Sequence, residues 1–205
     1  MHLKGAEEGR LEFLAILKIK LYKNKMKIIN LFAAPGVGKT TTGQILAGLL
    51  SLKGYKVQYI PEFAKFATLS KNEAALSDQI YMFSKQENRL SVLKNTEVDF
   101  VIMDGPLPIA LLYTPDNYFK SYFDLVWEVF NSYNNINYRL LRNNSLQYDK
   151  FGRKESEEES KILDTRLKEL LDSKNIFYED FYVTKKLPFD LFEKITKTSY
   201  IELFN

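Results

Sequence analysis

The stretch Leu31–Thr42, LFAAPGVGKTTT, decides how the rest of the chain is read. Most of it matches the pattern G-x-x-x-x-G-K-[ST], whose glycines let backbone N–H groups turn inward around a phosphate. In such a loop the lysine reaches the β- and γ-phosphate oxygens, the Ser/Thr hydroxyl holds Mg²⁺, and the following helix N-terminus adds its dipole. Pro35, Gly36, Val37, Gly38, Lys39, Thr40 and Thr41 are therefore the candidate nucleotide-binding residues, with Thr40 a candidate metal ligand and Lys39 a candidate catalytic residue. Where the pattern has its first glycine, this chain has Ala33. That position asks for a small residue where the strand leaves the sheet, and alanine meets the need if its φ is negative.

On either side of the loop, apolar periodicity alternates between strand and helix. Strands are expected at Lys27–Ala33, Lys56–Ile60, Val98–Asp104, Ile136–Leu141 and Ile176–Val183. Helices are expected at Lys39–Leu52, Glu73–Lys94, Asp116–Ser132, Glu155–Asp172 and Pro188–Leu203. Strands separated by helices imply right-handed crossovers. The fold class is thus α/β, a mostly parallel five-stranded sheet with helices on both faces. Ligands of such sheets sit outside the carboxyl ends of the strands. Residues 1–25 are basic and mildly amphipathic and end just before Met26, which reads like a natural start. They are either an upstream extension or a short helix over Glu8–Tyr22 packing its leucines on the domain that spans 26–205.

Composition narrows the chemistry. Of 205 residues, 45% are hydrophobic and 27% charged, ordinary for one globular domain with a sizeable core. The net charge of +3 suits a phosphate-handling protein as well as a nucleic-acid binder. With no cysteine and one histidine, His2, near the N-terminus, neither thiol nor imidazole chemistry drives a reaction here. No apolar run approaches the roughly 18 residues of a membrane span, so a soluble, cytoplasmic protein is expected.

A triphosphate site also needs a carboxylate to order Mg²⁺ or its waters, and Asp104 stands at the end of the apolar run Phe100–Met103. Asp104 could instead open a turn, since Asp104-Gly105 is also turn chemistry. Glu62 follows the second strand and would lie beside Asp104, as a base or a hold on a substrate hydroxyl, or simply as a helix cap. Either carboxylate can be base or metal partner, and spacing does not separate them. Gln79 and Gln86 lie seven residues apart on one expected helix face, with Arg89 three further on. Amides can pair with a nucleobase edge and an arginine with a phosphate, which makes all three candidate substrate contacts. The polar segment 142–155 reads as a lid that brings Arg142 and Arg153 over the phosphates as catalytic guanidinium groups, or as an ordinary surface loop.

In order, APGVGKTT, PEFAK, a helix carrying Gln86, VIMDGPL and R-x5-Y-x3-GR before an acidic helix resemble small P-loop kinases. The resemblance is to nicotinamide-riboside-kinase-like ATPases and to nucleoside and nucleotide kinases, many of them phage-encoded, and covers most of residues 26 to about 183. It implies a P-loop NTPase three-layer architecture with a small lid, Mg²⁺ and ATP as cofactors, and phosphotransfer. By position it assigns ATP to Gly36–Thr41, the substrate side to Glu62, and lid roles to Arg142 and Arg153. Lys65 departs from the arginine many relatives carry, which bears on a substrate-phosphate contact. Three functions follow: a kinase for a small nucleoside- or nucleotide-like acceptor, a kinase for hydroxymethylated pyrimidines in DNA, and a non-catalytic ATP-binding switch.

Overall fold

The computed structural model describes residues 26–143 and 154–204. The expected segment 1–25, Arg153 and most of the lid lie outside them. Five strands form one sheet: β1 (Lys27–Phe32), β2 (Val57–Ile60), β3 (Phe100–Met103), β4 (Asn135–Leu141) and β5 (Glu179–Tyr182). Their order is β2-β3-β1-β4-β5, and every pairing is parallel. The expected mostly parallel sheet is therefore parallel throughout.

This order decides which helix lies on which face. Only the crossover from β1 to β2 runs toward the β2 edge; the other three run the opposite way. Right-handed connections then put α1 (Lys39–Leu52) on one face and the remaining crossover helices on the other. These are α2 (Phe63–Leu69), α3 (Glu73–Ser77), α4 (Gln79–Ser91), α5 (Lys120–Asn131) and α6 (Glu157–Ser173). After β5 the chain returns through α7 (Leu187–Thr196), which packs on α1. Between these layers, β1 and β3 are buried almost end to end, and Phe32 meets Phe130 of α5 edge to face at 6.1 Å. Such interleaved aromatic and aliphatic side chains are what a doubly covered sheet requires.

Four departures from the expected elements have local causes. The single helix foreseen over Glu73–Lys94 is broken at Asp78, whose backbone is extended (φ −96°, ψ 95°) while its carboxylate accepts from the Tyr81 N–H at 2.9 Å. Capping by its own side chain offers the chain an alternative to continuing the helix. A short helix, α2, starts directly after Glu62, which stands at its N-cap without a side-chain capping bond. A 3₁₀ helix over Leu107–Tyr113 packs against α4, α5 and α6. The last helix ends at Thr196 because Lys197 turns left-handed (φ 59°), and a separate 3₁₀ turn, Tyr200–Leu203, follows.

Candidate active site

All strand carboxyl ends open on one edge of the sheet, and β1 is flanked there by β3 and β4. The loop from β1 to α1 therefore sits where the connections part to opposite sides, the position at which parallel sheets bind ligands. Within it Gly36 and Gly38 have φ of 78° and 109°, left-handed values that favour glycine. Among the described residues only Lys71, Asn175 and Lys197 adopt positive φ without being glycine, so Ala33 keeps a negative φ and meets the condition set by the sequence. Val37 is buried under the loop and Thr41 is exposed. Lys39 is buried and donates from Nζ to the carbonyls of Ala33 at 2.9 Å and Ala34 at 3.5 Å.

Asp104 is 2% exposed at the end of β3, next to the start of α1. Its Oδ2 accepts two hydroxyls, Thr40 Oγ1 and Tyr59 Oη, each at 2.7 Å, while its buried Oδ1 has no hydrogen-bond partner. A buried carboxylate oxygen left without a donor suits a cation or its water shell. The Thr40–Asp104 pair thus fits a magnesium ion that takes most of its ligands from phosphate oxygens and water.

Tyr59 was not singled out in the sequence. Burial first, and then the negative charge of Asp104, push its phenol well above the ordinary range, so it remains a donor to the carboxylate. Its ring is admitted by Gly43 of α1: a Cβ there would stand 3.0 Å from Tyr59 Cε2, 3.1 Å from Leu31 Cδ1 and 3.2 Å from Ile102 Cγ2. A glycine inside the helix after the phosphate loop, and a tyrosine two residues before Pro61-Glu62, are the signals that could have found it.

A cavity of about 290 Å³ is lined by the phosphate loop, by Glu62 and by Gly105 after the β3 end. Lys39, Thr40 and Glu62 line it together with Phe63, Phe83 and Tyr113. Gln79 and Gln86 reach the same wall. Gln79, 7% exposed, donates its amide to the Leu76 carbonyl at 3.2 Å, and Tyr122 Oη fixes its backbone by donating to the Gln79 carbonyl at 3.0 Å.

Gln86, Arg89 and Arg142 are committed to bonds with backbone. Gln86 uses both ends of its amide on backbone: Oε1 accepts from Phe63 N–H at 3.1 Å and Nε2 donates to the Gly105 carbonyl at 3.0 Å. Arg89 donates to the Pro61 carbonyl at 3.1 Å and stacks its guanidinium 5.2 Å from the Phe63 ring and 5.7 Å from Phe66. It braces the strand end instead of entering the cavity. Arg142 donates to the Pro35 carbonyl at 3.1 Å and to Ser160 Oγ at 2.6 Å, and Ser160 Oγ donates to the same carbonyl at 2.6 Å. These bonds tie β4 and α6 to the phosphate loop at Pro35.

A glycine-lysine loop after the central strand of a five-stranded parallel sheet in this order defines a P-loop α/β protein with the nucleoside-kinase fold. Among solved structures, deoxyadenosine kinase from M. mycoides with bound dATP superposes at a TM-score of 0.53 and 19% identity, over 83% of this chain and 100% of that one. A second structure of deoxyadenosine kinase from M. mycoides, with the products dCMP and a flexible dCDP bound, gives 0.50 and 17%, over 83% and 98%. At these identities the likeness is one of fold. No protein-family model and no curated protein sequence matches the chain. No helix among the described residues is long and apolar enough to cross a membrane.

Proposed function

We propose that this protein is an ATP-dependent phosphotransferase of the nucleoside-kinase type, acting on a hydroxyl of a nucleoside- or nucleotide-like acceptor. The observation that carries the reading is the continuity of one cavity from the phosphate loop, past Glu62, to an apolar and aromatic slot. A phosphate donor and a flat organic acceptor can meet there with a carboxylate between them.

In this reading the amides of the loop and Lys39 hold the β- and γ-phosphates. Lys39 exchanges its bonds to the Ala33 and Ala34 carbonyls for phosphate oxygens. Thr40 and Asp104 would hold Mg²⁺, which when bound neutralises charge on the phosphate oxygens. Tyr59 and Thr40 both bond Oδ2 of Asp104, which leaves Oδ1 without a donor from the protein. The acceptor hydroxyl oxygen forms a bond to the γ-phosphorus as the bond to the ADP bridging oxygen breaks, and Glu62 takes the hydroxyl proton. Glu62 is the better base because its side chain lines the cavity, whereas Asp104 is buried against two hydroxyl donors.

Phe63, Phe83 and Tyr113 supply faces for a ring, and Gln79, fixed at the head of α4, is the amide set to read its edge. The nucleotides bound to the solved neighbours suit a slot of this kind. The test is acceptor-stimulated ADP release from Mg-ATP across ribo- and deoxyribonucleosides, their monophosphates, and hydroxymethyluracil-containing DNA. The expected result is stimulation by at least one nucleoside or nucleotide and its loss in Lys39→Ala by about a hundredfold or more. Stimulation by DNA alone would move the acceptor to a polymer; binding of ATP with no stimulation by any acceptor would favour a non-catalytic switch.

A further inference from the structure

Gly105 follows Asp104 yet does not use a glycine conformation: the positive-φ glycines of the described residues are Gly36, Gly38 and Gly54. Turn geometry therefore does not explain it. Space does: a Cβ at residue 105 would lie 3.0 Å from Glu62 Cγ, 3.2 Å from Glu62 Cβ and 3.3 Å from Glu62 Cα. Glu62 thus rests on the bare backbone of the β3 turn. Gln86 spans the same junction from below, 8% exposed, joining the Phe63 N–H on one side of Glu62's peptide to the Gly105 carbonyl on the other side of the contact. Arg89 completes the hold by bonding the Pro61 carbonyl, so the residues before and after Glu62 are both tied to α4.

We infer that Gln86 is a positioning residue that, with the missing side chain of Gly105, fixes Glu62 against the Asp104 turn and so sets the distance between the acceptor-side carboxylate and the phosphate loop. The inference rests on the reading of Glu62 as the base. Gln86 spends its amide on this strut, which leaves Gln79 as the residue for the acceptor's edge. An amide is needed because the strut must accept at one end and donate at the other, a pairing that Leu, Glu or Lys cannot reproduce.

The test is a double-mutant cycle between Gln86→Leu and Glu62→Gln, with kcat, acceptor KM and calorimetric ATP affinity measured for each. Gln86→Leu is expected to lower kcat by about tenfold or more with ATP affinity within about twofold, and to cost nothing further in the Glu62→Gln background, because it acts through Glu62. Losses that multiply, or an ATP affinity that falls in step with kcat, would overturn the inference. Should Gln86→Leu fold poorly, Gly105→Ala serves, since it leaves no polar group unpaired. Its crystal structure should show Glu62 displaced from its wild-type position with the Thr40–Asp104 bond intact, and an unmoved Glu62 would overturn the inference. If wild-type protein phosphorylates no acceptor, the proposed function fails while the position of Glu62 in Gly105→Ala still decides the strut.

Discussion

At the scale of single residues, the site divides into groups the chain order announces and groups that only cross-strand contacts create. Gly36, Gly38, Lys39 and Thr40 are legible because the cradle is local: five consecutive positions carry the whole constraint. Asp104 was legible as a carboxylate ending an apolar strand. Tyr59, the reason for Gly105 and the backbone role of Gln86 were not, because each depends on which strand lies beside which, and β2 meets β3 only in three dimensions. Arg142, a basic residue at a strand end, bonds the Pro35 carbonyl of the phosphate loop, a contact that likewise depends on the pairing of β1 with β4. Asp164 of α6 lies outside all these expectations. It is half-buried, its Oδ1 has no partner, and burial outweighs the nearby Arg139, Arg142 and Lys39 to raise its carboxyl above the ordinary range. The folded protein then holds that proton more tightly than the unfolded chain, so the ionised group weakens the fold at neutral pH. Asp164→Asn should therefore melt at a higher temperature than wild type near pH 7. The difference should shrink as pH falls through the usual aspartate range, where both folded and unfolded chains are protonated; a gain that persists or grows at low pH contradicts this.

At the scale of elements, periodicity located every strand: β1 and β3 as buried apolar runs, and β2, β4 and β5 as short runs of β-branched, aromatic and aliphatic residues between helices, although β5 (EDFY) is largely unburied. Helix boundaries were less legible. Asp78 sits in register with a helical pattern yet caps the helix that follows it, and α2, Phe63–Leu69, is too short for its apolar pattern to mark its length. In α1 two glycines give opposite expectations. A Cβ at Gly48 would meet nothing within 4 Å, so Gly48→Ala should stabilise by about 0.5–1 kcal/mol through helix propensity alone. A Cβ at Gly43 presses on Tyr59, Leu31 and Ile102, the last two fully buried, so Gly43→Ala should lose about 1–3 kcal/mol to overpacking, less the same propensity gain. Denaturant melts of the two variants check this: opposite signs are expected, and equal stabilisation would show that α1 does not pack as described.

At the scale of the whole molecule, the strand order turns a sequence of alternating elements into a chemical site. Because only the first crossover reverses direction, the phosphate loop, Glu62 and Asp104 converge at one edge, with α4 behind them to hold the β2 end. The fold is that of nucleoside kinases, and the proposed chemistry rests on the cavity joining the loop to an aromatic slot. The most direct measurement is the fate of the γ-phosphate: γ-labelled ATP with a mixture of nucleosides, products separated, for wild type and Glu62→Gln. The account predicts label on a nucleoside hydroxyl with wild type, and transfer slowed about a hundredfold or more in Glu62→Gln with ATP binding retained. Label released only as inorganic phosphate, or transfer equally fast in both proteins, would contradict it.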